Sequence, residues 1–183
     1  MTASPVRLLI AGRPGAGKTT VLGLLSELLH EAGVPLAGFL TRELRQRGRR
    51  VGFEIETFEG ERGVLAHVEL PPPRVGRYGV DLESFEALAL PAMKLRGEKR
   101  VVLVDELGKM ELASERFREA TLALFDDPVP IVATVQSRPH PFTASLRRRA
   151  EVETLPLTTA NRDQLPEELA RRLGVATRAA PAR

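Results

Sequence analysis

Short apolar runs alternate with stretches of helical spacing along this chain, and that alternation predicts an α/β fold. Residues 6–11 read as a buried strand. From Thr20 to Ala32 apolar residues recur at 21, 22, 24, 25, 28, 29 and 32, the spacing of a helix face. Gly33-Val34-Pro35 then supplies the glycine and proline that close a helix. Three strand-like runs follow at 36–44, 52–58 and 63–70, separated by the charged turn at 45–50 and by residues 59–62. They predict antiparallel hairpins inserted after the first helix. Pro71-Pro72-Pro73 and Gly76-Arg77-Tyr78-Gly79 read as loop.

In the second half, residues 81–95 predict a helix capped by Asp81 or Ser84. Residues 100–104 and 129–135 are apolar without alternation, as parallel strands covered on both faces should be. Between them lies a helix at 114–125, opened by Ser114, with Phe117, Leu122 and Leu124 on one side. A short basic helix at 142–149, a last strand at 152–157 and a helix from about 162 to 173 complete the pattern. The expectation is a mostly parallel sheet with helices on both faces, one domain over residues 1–175 and a disordered tail at 176–183.

Composition narrows the picture. At 183 residues the chain suits one α/β domain and is short for two. It has no apolar run of about 18 residues, so no membrane span is expected. The first strand begins too soon for a signal peptide, and a cytoplasmic location is expected. With no cysteine there is no disulfide, thiolate metal site or cysteine nucleophile, and His30, His67 and His140 are scattered. The net charge is +3, with arginine supplying 23 of 27 basic residues. A single Asn (Asn161), no Cys and 14 prolines suit a hot environment, although a GC-rich genome gives the same bias. The basic balance permits nucleic-acid contact without indicating it, and nothing demands more than a monomer.

Candidate chemistry centres on Gly12-Arg13-Pro14-Gly15-Ala16-Gly17-Lys18-Thr19, which fits the phosphate-binding pattern G-x-x-x-x-G-K-[ST] between a strand and a helix. Glycines let backbone N–H groups approach phosphate oxygens, and the helix start adds its positive dipole end. Lys18 would reach the β- and γ-phosphates, the Thr19 hydroxyl would ligate Mg²⁺, and Thr20 would follow at the nucleotide. Val101-Val102-Leu103-Val104-Asp105-Glu106 has the Walker B form. It puts two carboxylates at the C-terminal end of a strand, where doubly wound sheets bind ligands. Asp105 would hold Mg²⁺, and Glu106 would polarise or deprotonate the water attacking the γ-phosphate.

Weaker candidates carry competing readings. Lys109, followed by Glu111, would steady transition-state charge or form a salt bridge at a helix start. Gln136, closing a strand, would sense the γ-phosphate or simply end the strand. Arg147-Arg148-Arg149 would supply an arginine finger or a solvated helix face. The 45–50 turn lacks interleaved aromatics and reads as an exposed hairpin tip rather than an RNA contact. Asn161 and Arg162 follow the last strand, near where the base would lie, while Asn161 with Gln164 three residues on resembles a capping box.

Asp105-Glu106-Leu107-Gly108-Lys109-Met110-Glu111-Leu112 resembles the hallmark of the small P-loop nucleoside-triphosphatases known from thermophiles and as the human cancer-related NTPase. Gly38-Phe39-Leu40-Thr41-Arg42-Glu43, Arg49-Arg50-Val51-Gly52-Phe53, Val75-Gly76-Arg77-Tyr78-Gly79-Val80-Asp81 and Asn161-Arg162-Asp163 resemble further blocks of that family, in the same order. The likeness spans about residues 6 to 174 and departs only conservatively, with Leu107 where isoleucine is expected. The resemblance implies a RecA-like domain, Mg²⁺-dependent hydrolysis of several NTPs to NDPs, and slow turnover.

Hydrolysis competes with a nucleoside or polynucleotide kinase, whose acceptor the hairpins would cover, and with a nucleotide-dependent switch. The residues assigned to the site address phosphate, metal or water, which ATP, GTP, CTP and UTP share. With no tryptophan, one tyrosine and phenylalanines mostly in apolar or helical runs, an aromatic base clamp is not expected. Thr158, Thr159, Asn161 and Arg162 are the only polar candidates after the last strand. Low base selectivity follows.

Overall fold

The computed structural model describes residues 5–94 and 101–176. In chain order these form β1 (Arg7–Gly12), α1 (Lys18–Glu31), β2 (Leu36–Gln46), β3 (Arg49–Thr57), β4 (Arg62–His67), β5 (Arg74–Val75), β6 (Tyr78–Val80), α2 (Leu82–Ala92), β7 (Val101–Leu107), α3 (Glu115–Asp126), β8 (Ile131–Gln136), α4 (Pro141–Arg147), β9 (Glu153–Pro156) and α5 (Leu165–Arg172). A single 3-10 turn at Glu111–Ala113 precedes α3. All nine strands join one mixed, mostly parallel sheet in the order β5-β6-β4-β3-β2-β7-β8-β1-β9. Strands β2, β7, β8, β1 and β9 run parallel, and β3, β4, β6 and β5 continue the same sheet antiparallel. The inserted hairpins are therefore an extension of the sheet beyond β2.

Alternate residues of each strand face opposite layers, which is why the apolar runs need cover on both sides. Leu8, Ile10, Val101, Leu103 and Val132 pack beneath α1 (Val21, Leu22, Leu25, Leu29) and α5 (Leu165, Leu169, Ala170). Their neighbours Leu9, Val102, Val104, Ala133 and Val135 face α2, α3 and α4 through Phe85, Ala89, Phe117, Leu124, Phe125 and Leu146. Phe39, Phe85 and Phe117 meet at centroid distances of 5.0 to 6.0 Å. Each such ring pair adds about 0.5–1.5 kcal/mol beyond burial, which anchors β2 to the helical layer.

Several boundaries differ from the sequence expectation. The turn expected over 45–50 shrinks to Arg47 and Gly48, both at positive φ, while Arg45 and Gln46 pair with Arg50 and Arg49 in the ladder. A two-residue hairpin needs no more loop than that. Gly76-Arg77-Tyr78-Gly79, expected as loop, falls within the hairpin β5–β6, because Gly79 and Val80 pair with β4. Strand β7 runs on through Asp105 and Glu106 to Leu107, so the acids lie within the strand. Asp81 caps α2 by accepting from the Ser84 amide at 2.9 Å. Leu122 is 36% exposed, and Thr121 takes its expected place facing the core. Helix α5 starts at Leu165, later than 162. Leu95, Arg100 and residues 177–183 of the tail lie outside the described residues.

Candidate active site

Strand β1 ends at Gly12 in the parallel part of the sheet, and the chain turns through Arg13, Pro14, Gly15, Ala16 and Gly17 into α1. Gly15 (φ 76) and Gly17 (φ 98) occupy the left-handed region that a side chain resists, and this lets the loop curl. The Ala16 amide donates to the Arg13 carbonyl at 3.1 Å to close it. Helix α1 then presents its unpaired N–H groups and positive dipole end at the loop. Lys18 is only 7% exposed. Its ammonium donates to the carbonyls of Gly12 (3.2 Å) and Arg13 (3.3 Å) and pairs with Glu106 Oε2 at 3.2 Å.

The acid strand meets this loop across β8. Asp105, 2% exposed, accepts from Thr19 Oγ1 at 2.6 Å on one oxygen and from Thr134 Oγ1 at 2.5 Å on the other. Thr41 Oγ1 donates to its backbone carbonyl. Burial raises the Asp105 carboxyl above its ordinary pKa, more than the threonine hydrogen bonds lower it, and the Glu106 charge adds to the rise. Glu106 Oε1 accepts from Gln136 Nε2 at 3.1 Å. Both of its oxygens are thus held at the loop by groups that sequence spacing had singled out.

Glu111 is a second acid at the same place. It is 4% exposed, and burial, reinforced by the Glu106 charge, pushes its carboxyl up to about 8, so it holds a proton at neutral pH. A Cβ on Gly108 would lie 2.8 Å from both Glu106 Oε1 and Glu111 Oε2. The two carboxyls therefore converge on the same backbone position. Lys109 is exposed at the rim and makes no ion pair among the described residues, so the salt bridge at a helix start is not formed.

These groups border a cavity of about 950 Å³, at the upper end of the few hundred to ~1,000 Å³ usual for ligand sites. Pro14, Gly15, Gly17, Lys18, Thr19 and Thr20 line one side, and Asp105, Glu106, Lys109, Glu111 and Gln136 another. The sheet extension closes the third side with Thr41, Arg42, Glu43, Arg50, Phe53 and Tyr78. The Thr19 hydroxyl and Asp105 carboxylate, 2.6 Å apart at the helix start, are hard oxygen donors of the kind Mg²⁺ takes one or two of, leaving the rest to water and phosphate. Among the described residues no cluster of three His, Cys, Asp or Glu is set to hold a metal ion.

Other expected residues lie elsewhere. Asn161 does not form a capping box: α5 is preceded by Gln164 without a side-chain cap. The Asn161 side chain instead accepts from the Thr158 amide (2.8 Å) and donates to the Pro156 carbonyl (2.8 Å), bracing the turn after β9. Arg162 pairs with Asp163 at 3.3 Å, and neither Asn161 nor Arg162 lines the cavity. Of the arginine run, Arg149 pairs with Asp126 (2.7 Å) and Arg147 donates to the Gln136 carbonyl (2.8 Å), while Arg148 is exposed. None of the three lines the cavity. Sequence spacing does not single out Thr41, Thr134, Phe53 or Tyr78, and it places Arg50 only in the 45–50 hairpin tip. Thr134 had a signal, a lone hydroxyl in the apolar run of β8.

A model of the NTPase family matches residues 7–170. The chain is 42% identical over 166 residues to the nucleoside-triphosphatase THEP1 of Thermotoga sp. (strain RQ2), covering 90% of this chain and 93% of that protein. It is 41% identical over 171 residues to the cancer-related nucleoside-triphosphatase of Homo sapiens, covering 85% and 90%. The crystal structure of THEP1 from the hyperthermophile Aquifex aeolicus superposes with a TM-score of 0.81 at 34% identity, covering 92% of this chain and 99% of that one. The solution structure of a human cancer-related nucleoside triphosphatase gives 0.80 at 38% identity, covering 95% and 100%.

Proposed function

This chain belongs to the NTPase family, and on that premise we propose that it hydrolyses nucleoside 5′-triphosphates to the diphosphate and phosphate with Mg²⁺ and little selectivity among bases. The observation that carries the reading is the convergence of Lys18, Glu106 and Gln136 beside the Thr19–Asp105 pair. The relatives reported above are named triphosphatases, and hydrolysis is carried forward over the kinase and the switch.

In this reading the loop amides and the first turn of α1 hold the β-phosphate, and Lys18 swings its ammonium from the Gly12 and Arg13 carbonyls onto the β- and γ-oxygens. Thr19 and Asp105 would hold Mg²⁺, which would neutralise charge on the phosphates. Glu106 accepts the proton of the attacking water or fixes its lone pair toward phosphorus. Gln136 orients Glu106 and reports on the γ-phosphate, and Lys109 reaches in from the rim to meet developing charge. Nearly all of these groups address parts common to every NTP. Asn161 and Arg162, spent on the β9 turn and on Asp163, leave little to tell bases apart.

The test is phosphate release from γ-labelled ATP, GTP, CTP and UTP with Mg²⁺, with and without nucleosides or RNA ends. Label in free phosphate for all four supports the reading. Label on an added acceptor would overturn it.

A further inference from the structure

The wall of the cavity facing away from the phosphate loop has a composition that hydrolysis does not use. Along the sheet the order is β1, which carries the phosphate loop, then β8, then β7 with the acids, then β2 and β3 of the extension. A triphosphate lying from the loop toward Glu106 therefore points its γ-phosphate at β2 and β3. On that wall Arg50 lies over Phe53 (5.2 Å to the ring centroid) and Tyr78 (6.0 Å), and the two rings pack edge-on at 5.2 Å. Arg50 Nε and Arg77 Nη2 both donate to the Tyr78 hydroxyl, at 3.0 and 2.9 Å. Two acids meet the group: Glu43, held ionised below its ordinary range by hydrogen bonds from Arg50 and Arg45, and Glu56, paired with Arg42 at 2.6 Å. Arg42, Arg45, Arg50 and Arg77 face these two acids, and Arg77 has no acid partner among the described residues, so the wall stays cationic.

Taking the hydrolytic site as read above, we propose that this wall, built from Arg42, Arg50, Phe53 and Tyr78, is a second binding site that accepts a nucleotide moiety beyond the γ-phosphate. Phe53 and the Arg50 guanidinium plane stack on any base, with the buried Tyr78 backing them, and Arg42 and Arg50 offer planar donors to a phosphate. Rings without cations would suit an apolar ligand, and cations without rings would suit phosphate alone. Together they fit a base carrying a phosphate, either as a free nucleoside monophosphate or as the end of a nucleic-acid strand. The site concerns binding only, and no group transfer is implied.

Tyr78 is the only tyrosine in a chain without tryptophan, so its emission reports this wall directly. With the phosphate loop filled by Mg²⁺ and a non-hydrolysable ATP analogue, AMP, UMP and a 5′-phosphorylated hexanucleotide are titrated in, using absorption-corrected emission and calorimetry in parallel. Uridine and inorganic phosphate serve as half-ligands. Saturable one-to-one binding of the monophosphates or the strand end is expected, weaker for either half-ligand. Which of the two binds tighter names the source. Arg50→Gln and Phe53→Leu should each weaken binding about tenfold or more, the worth of one stacking contact. Absence of saturable binding once the loop is filled, or unchanged affinity in both variants, overturns the proposal. ATP hydrolysis by the same preparations separates the two readings: persistent hydrolysis without second-site binding removes this site alone. Circular dichroism checks the fold of each variant, and where one is unfolded the other decides.

Discussion

Replacing Glu111 with glutamine keeps the shape of the side chain and removes its ionisation. The folded protein holds the Glu111 proton up to about pH 8, whereas an exposed carboxyl in the unfolded chain releases it near 4.5. Between those values the folded state binds more protons than the unfolded state, so stability falls as pH rises through the window and levels off above it. At about 1.4 kcal/mol for each pH unit crossed, the ceiling on this penalty is about 5 kcal/mol. Glutamine carries no such penalty at any pH. Urea unfolding without nucleotide or metal, run at several pH values from 5 to 8.5, compares the two proteins. The pair should have similar stability at pH 5, and Glu111→Gln should be the more stable by about 2 kcal/mol or more at the alkaline end, where a substantial part of the ceiling applies. A stability difference that stays constant across the range would mean that Glu111 is already ionised in the folded protein, and the reasoning would be wrong.

Lys18→Ala should abolish turnover and weaken ATP far more than adenosine in paired titrations. An equal loss for both would indicate misfolding, and unchanged turnover would remove the phosphate-loop assignment. Asp105→Asn should raise the Mg²⁺ concentration for half-maximal hydrolysis, and an unshifted Mg²⁺ titration would place the ion elsewhere. Specificity constants for ATP, GTP, CTP and UTP should fall within about tenfold, or roughly 1.4 kcal/mol of transition-state discrimination. A preference above about a hundredfold in competition assays would require a base pocket not described above.

The parallel sheet and both phosphate-site motifs were legible in the sequence because each is a local pattern. Uninterrupted apolar runs mark strands buried on two faces, and the loop glycines, Lys18 and the acids sit in fixed order beside them. Helix α1 and strand β1 matched expectation closely for that reason. What depends on distant partners was not legible. Tyr78-Gly79-Val80 becomes a strand only because β4 offers an edge, and its glycine gave it the look of a loop. Asn161 had the spacing of a capping box, but its side chain found the Thr158 amide and Pro156 carbonyl first. The aromatics missing around the 45–50 turn are present in space: Phe53 lies three residues along β3 from Arg50, and Tyr78 arrives from a hairpin 28 residues on. The closeness of Glu111 to Glu106 depends on how the chain folds at Gly108, which residue spacing does not encode.

The central claim is that Glu106 positions the attacking water while Lys18, Thr19 and Asp105 hold the Mg²⁺–triphosphate. Single-turnover hydrolysis of γ-labelled ATP by Glu106→Gln, with Mg²⁺–ATP binding measured on the same preparation, tests it most directly. Binding should be retained while the chemical step slows by about 10²- to 10⁴-fold, the usual contribution of a positioned base. Hydrolysis at the normal rate with Glu106 replaced would contradict the account and give the water to another group.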